Sequence, residues 1–181
     1  MQGQNSNKST ASKLAVLAML TAVSVVLGII CKNLFTVAVY YRFTVENIGV
    51  IFAGIFFGPA AGALVGLASD AVSCVLSTNP AINPIISLGA VTVGAVSGLV
   101  SRYLIREHTD RQFIVSAASA HLVGQVVIKS VGKMIYYGMP WYGIFIGFAI
   151  SVLACAIEVA VIRILWRNRE INKLITGIIS K

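Results

Sequence analysis

Charged side chains are scarce in this sequence: Asp, Glu, Lys and Arg together make up 11% of the chain, against about 25% in an ordinary soluble domain. That shortage excludes a domain with a fully solvated surface. At 181 residues there is room for one compact bundle and no separate soluble unit. Histidine is scarcer still, with two in the chain. Metal hydrolysis usually needs three protein ligands at one depth, which tells against an intramembrane enzyme using His121, Glu158 and Asp70. The three cysteines, Cys31, Cys74 and Cys155, are scattered through apolar segments with no CxxC spacing. They read as small buried hydrophobes, not as disulfides or metal ligands. HExxH and Walker A patterns are missing too, and the small-residue run GPAAGALVG at 58–66 lacks the Lys-Ser/Thr of a phosphate loop.

What is present is grease. Hydrophobic residues make up 57% of the chain and the mean hydropathy is +0.88, the composition of an integral membrane protein. Apolar runs and their Gly/Pro punctuation predict helices over residues 13–31, 47–57, 60–76, 85–104, 113–137 and 143–167. The expected fold is therefore an all-α bundle of six transmembrane helices over residues 13–167. A disordered cytoplasmic tail is expected over 1–12 and a basic cytoplasmic tail over 168–181. The basic start before the first apolar run also describes a signal peptide, but the run is too long and GIIC lacks the small residue a cleavage or lipidation site needs.

The net charge of +8 comes from basic residues placed like the cytoplasmic ends of membrane helices, not like a nucleic-acid platform. With both termini inside, the inner face receives Lys8, Lys13, Arg102, Arg106, Arg111, Arg163, Arg167, Arg169, Lys173 and Lys181. The outer side receives chiefly Lys32 and Arg42. This asymmetry predicts an N-in, C-in topology.

The stretch 113–137 organises the rest. It is long enough to cross a bilayer, yet it carries His121, Gln125, Lys129 and Lys133 at four-residue spacing. Read as an α-helix, that spacing stacks the four into one polar ribbon. An ionisable group at bilayer depth costs roughly 2.5–3.5 kcal/mol, so such a ribbon normally faces a bundle interior or a watery cavity. At ~1.5 Å per residue, His121 lies about 12 Å from the inner end and Lys129 about 24 Å. Glu158 on the returning helix comes out at the depth of His121, which predicts a contact between them.

Lys129 and Lys133 have a bland alternative, snorkelling to the outer interface. The positive-inside tendency and their continuation of the ribbon favour an outward-open cavity that attracts an anion. At the same level stand Tyr40, Tyr41, Arg42 and Phe43, then Asn79 and Asn83, then Tyr136, Tyr137, Trp141 and Tyr142. Aromatic residues there suit an interfacial belt equally well, but a pocket of flat faces with a few amide and basic groups suits a planar, polar-edged anion. Arg42 and Glu46, four apart, are expected to pair at a helix start. Small residues at Ala11, Ala15, Ala18 and Ala22 would let another helix approach closely, inside the bundle or on another subunit.

Three stretches carry a resemblance: LAVLAMLTAVSVVL, AGIFFGPAAGALVGLASD and VVIKSVGKMIYYGMP. Over roughly residues 13–167 the chain resembles the substrate-binding S component of an energy-coupling factor (ECF) vitamin transporter. The last stretch is most similar to the folate-specific branch. The resemblance implies tight vitamin capture in an outward-facing pocket by a multi-pass protein of the bacterial cell membrane. It implies docking on a transmembrane coupling subunit through Ala11, Ala15, Ala18 and Ala22. Two cytoplasmic ATPases would consume ATP, and the S component would topple to release its vitamin inside. This chain would itself be no enzyme and would carry no cofactor. For folate, Lys129, Lys133 or Arg42 would meet the glutamyl carboxylates. Asn83, Gln125 or Asp70 would read the pterin edge, and Trp141, Tyr136 or Tyr142 would stack on a ring. The loops 32–46 and 77–84 would close over it. Another vitamin, such as pantothenate or thiamine, and a proton-coupled transporter using Glu158 or Asp70 remain open at this point.

Overall fold

The computed structural model describes residues 2–34, 43–76, 83–105 and 110–179. They form α1 (Gln2–Leu34), α2 (Asn47–Phe57), α3 (Pro59–Val75), α4 (Pro84–Tyr103), α5 (Asp110–Ala120), α6 (Lys129–Tyr137), α7 (Gly143–Arg167) and α8 (Arg169–Ile179). A π-helical segment, His121–Ile128, joins α5 to α6 into a single rod. No strand occurs among the described residues.

The bundle is built round α2. Its sequence, NIGVIFAGIFF, is apolar on every side apart from Asn47, and ten of its eleven residues are buried, as expected of a helix enclosed by others. Gly58, at φ 96°, turns the chain sharply, and Pro59 then opens α3 at the position where its missing N–H costs nothing. On the far side α4 crosses close to α3. A Cβ on Gly94 would land on the carbonyl of Gly62, so the two backbones meet without side chains between them. Close approach of this kind is what holds helices together in lipid. Near the Gly58 turn, Phe52, Phe56, Phe113 and Trp166 stack, with the Phe56 and Trp166 rings 4.8 Å apart.

Four helical stretches are long and apolar enough to cross a membrane: Thr10–Leu34, Pro84–Tyr103, Asp110–Tyr137 and Gly143–Arg167. α2 and α3 are apolar but shorter, at 11 and 17 residues. The six expected helices are thus four of full membrane-spanning length with a short α2–α3 hairpin packed among them. The hairpin is shorter because α2 starts inside the bundle, where Thr44 and Asn47 are already buried.

The N-terminal tail, expected to be disordered, is helical, and the basic C-terminal tail is helical as well. α1 begins at Gln2 and not near Lys13. Once a helix is nucleated, each further residue adds a hydrogen bond, and the polar stretch before Lys13 holds no proline to stop it. At the other end, the tail expected over 168–181 forms α8. Asn168 caps it by accepting from the Glu170 N–H at 3.0 Å. Its apolar residues fall on one face, and Ile175 is buried in the core.

Candidate functional site

The rod that carries the polar ribbon is not uniformly α-helical. Over His121–Ile128 the backbone bonds run from i to i+5, as where the Lys129 N–H reaches the Gly124 carbonyl. The uniform four-residue ribbon is corrected accordingly, because a π turn is wider and rotates successive residues differently. Packing supplies the reason. A Cβ on Gly124 would sit 2.6 Å from Val93 Cγ2, so the rod presses its backbone onto α4 at this point. The ribbon still faces inward at His121 and Lys129, which are 3% and 4% exposed.

It meets the bundle at two levels. At the deeper one, His121 Nε2 lies 2.6 Å from Glu158 Oε2, the contact expected from depth. The other ring nitrogen, Nδ1, is 3.0 Å from Ser151 Oγ. Glu158 Oε1 accepts from the Asn47 backbone N–H at 3.2 Å and from Asn47 Nδ2 at 3.4 Å. A carboxylate here also sits on the N-terminal end of α2, where the helix dipole favours negative charge. His121, Asn47, Ser151 and Glu158 are all buried, and each makes at least one side-chain hydrogen bond. This level is a closed node.

At the second level Lys129 Nζ reaches Glu46 Oε1 at 3.5 Å. Its stem crosses α4 over Gly89, where an added Cβ would stand 2.5 Å from Lys129 Cγ. The ammonium therefore turns into the bundle and does not snorkel outward. Gln125 Nε2 donates to Thr44 Oγ1 at 3.5 Å, while its buried Oε1 has no hydrogen-bond partner among the described residues. Asn83 accepts from the Ile85 and Ile86 N–H groups at 3.1 and 3.3 Å, capping α4. Its buried Nδ2 likewise has no partner among the described residues. Half-buried Asp70 accepts from Ser87 Oγ at 2.6 Å. Buried polar atoms in native proteins are nearly always paired, so each of these two orphans calls for an explanation.

The remaining expected residues are more peripheral. Lys133 is half-buried, one turn beyond Lys129. Tyr136, Trp141 and Tyr142 are 53%, 69% and 57% exposed, and Trp141 packs edge-on against Tyr142 and Phe145 at the surface. Arg42, with Tyr40, Tyr41 and Asn79, lies outside the described residues, as do most of the two expected gating loops. The expected Arg42–Glu46 pair therefore falls outside the described residues too, while Glu46 itself contacts Lys129. Ala11, Ala15, Ala18 and Ala22 are all exposed on α1, so the small-residue stripe is not used for packing inside the bundle.

Glu46, Thr44 and Asn47 were missed as site residues. All three sit at the start of α2, and a Glu-Asn pair opening an otherwise apolar helix is the signal that marks them. The larger hollows lie elsewhere. One of about 460 Å³ adjoins Gly58, Arg102 and Gln112, and an apolar groove of about 570 Å³ runs past Leu122, Phe148 and Val152. At the Glu46 level a small cavity of about 10 Å³ lies between α1, α2 and α3.

Membrane-length helices round a buried polar interior are the build of a membrane-embedded binding subunit of a transporter. A family model described as the substrate-specific component of ECF transporters matches residues 12–180. The chain belongs to that family, and so to the vitamin-binding S components of such transporters. Its fold is similar to a crystal structure of FolT bound with folic acid, with a TM-score of 0.65 and 20% sequence identity, over 82% of this chain and 88% of that one. No curated protein matches the sequence.

Proposed function

We propose that this chain is a high-affinity folate-binding S component, which captures folate from outside the cell and delivers it inward. The observation that carries the reading is the level of Lys129. A buried ammonium stands there, and one buried amide atom each of Gln125 and Asn83 has no partner among the described residues, in a fold shared with a protein solved with folic acid. In this reading the glutamyl carboxylates exchange with Glu46 on Lys129, assisted by Lys133 and Arg42. A buried ammonium strengthens such hydrogen bonds because the local dielectric is low. Gln125 Oε1 and Asn83 Nδ2 offer an acceptor and a donor to the pterin edge, with Asp70 beside them. Tyr136, Trp141 and Tyr142 line the approach at the rim, and the loops 32–46 and 77–84 close over the occupied site.

All six apolar helices cross or enter the bilayer with both termini in the cytoplasm, and α8 lies along the inner surface. The exposed alanines of α1 dock on a coupling subunit driven by two ATPases. Toppling of this subunit within that complex then carries folate across. ATP is used by those partners and not by this chain.

The test is calorimetric titration of the purified protein with folate, and separately with thiamine and pantothenate. Tight binding of folate alone is expected. Tight binding of another vitamin, with no folate response, would overturn the specificity. Protection of the two loops from protease by folate is expected as well.

A further inference from the structure

We propose that the small cavity between α1, α2 and α3 binds one monovalent cation of sodium size, next to the proposed ligand level and sharing Glu46 and Asp70 with it. Ser24, Glu46, Asn47, Ser69, Asp70 and Ser73 line it, with Val50 and Ala90 as its apolar part. At about 10 Å³ it approaches the ~10–15 Å³ needed by one water-sized particle, and no organic group fits.

Its walls are rich in oxygen: three serine hydroxyls, from α1 and α3, and two carboxylates. Ser24 is 1% exposed, and its Oγ has no hydrogen-bond partner among the described residues. A buried hydroxyl is normally paired, because leaving it unmade forfeits its solvation. Here the oxygen is pressed between α1 and Gly49 of α2, where any Cβ would overlap it. Two further oxygens crowd the same helix: a Cβ on Gly28 would lie 2.9 Å from Glu46 Oε2 and 3.2 Å from Ser73 Oγ. Ser69 spends its proton on the Gly66 carbonyl at 3.1 Å, which leaves its oxygen lone pairs free to ligate.

The donor set selects the ion. No three His, Cys, Asp or Glu side chains gather among the described residues to hold a metal, which tells against a transition metal here. Calcium takes six to eight oxygen ligands, and magnesium keeps several waters in an octahedral shell. This space has no room for magnesium's retained waters, and the Lys129 ammonium already balances one of the two carboxylates. The single negative charge left over, with hydroxyl oxygens round it, suits a monovalent cation and not calcium. Such an ion would tie α1 to the α2 N-terminus and to α3, and would sit against the carboxylate that Lys129 contacts.

Thermal unfolding of the full-length protein in detergent, with no vitamin present, tests this in NaCl, KCl and choline chloride at equal ionic strength. Sodium is expected to raise the melting temperature saturably, by on the order of 5 °C, with a smaller shift in potassium. Ser24→Ala is expected to abolish the sodium response while melting in choline no lower than the parent, since it removes an unpaired hydroxyl. Asp70→Asn is expected to flatten the response as well. Equal melting in sodium and choline, as for a water-filled cavity, would overturn the proposal, as would an undiminished sodium response in Ser24→Ala. Because no vitamin enters the assay, its outcome is independent of the folate reading.

Discussion

The two polar levels along the rod differ in how completely they are paired. At His121, two ring nitrogens, two carboxylate oxygens and an asparagine satisfy one another, with Ser151 closing the set. Toward Lys129, by contrast, the ion pair is 3.5 Å long, and Gln125 Oε1 and Asn83 Nδ2 have no hydrogen-bond partner among the described residues. A fully satisfied buried network rigidifies and specifies a fold, whereas a partly satisfied one is costly unless something else completes it. The comparison thus separates two uses of buried charge on a single helix. The node at His121 holds α2 and α7 to the rod, and the level at Lys129 is the one we propose for the ligand.

The sharpest way to break this contrast is Glu158→Ala, which strands His121 and both Asn47 donors in the interior. Breaking a buried pair by removing one partner typically costs about 3–5 kcal/mol, so a large fall in thermal stability is expected, with or without folate. Lys129→Ala should behave oppositely. It is expected to weaken folate by roughly tenfold to more than a hundredfold, the worth of about 1.5–3 kcal/mol for a hydrogen bond to a charged group. Stability should fall by less than in Glu158→Ala, because the Glu46 side chain keeps 15% of its surface exposed whereas Glu158 is fully buried. Gln125→Ala removes an amide whose acceptor is unpaired, and is expected to cost about 1 kcal/mol of folate affinity, read by the same titration. The smallest effect on the isolated protein is expected from Ala22→Leu on the exposed face of α1. Folate affinity and melting temperature should stay unchanged, while copurification with the coupling module is lost.

Much of this was legible in the chain. The bounds of α2 and the Gly58-Pro59 turn follow from an uninterrupted apolar run ended by residues that cannot continue a helix. The His121–Glu158 contact follows from counting residues inward along two antiparallel helices. The inward turn of Lys129 follows from its place on the ribbon. What could not be read depended on contacts distant in sequence. Glu46 lies 83 residues from Lys129, too far for any local pattern to join them. The π segment arises where Gly124 is pressed against Val93 on another helix, which no local pattern encodes. Asn83 looked like a ligand contact, and its side-chain oxygen is in fact committed to capping α4. The two tails were read from polarity, which does not register that a helix already begun can continue, or that α8 has one apolar face.

The central claim is that Lys129 is buried in order to receive an anionic group of the ligand. The most direct test is a paired titration of the parent and Lys129→Ala with folate and with a pterin that lacks the glutamyl tail. The account predicts that the substitution weakens folate at least tenfold and leaves the tail-less pterin nearly unaffected. Equal loss for both ligands, or loss for neither, would contradict it.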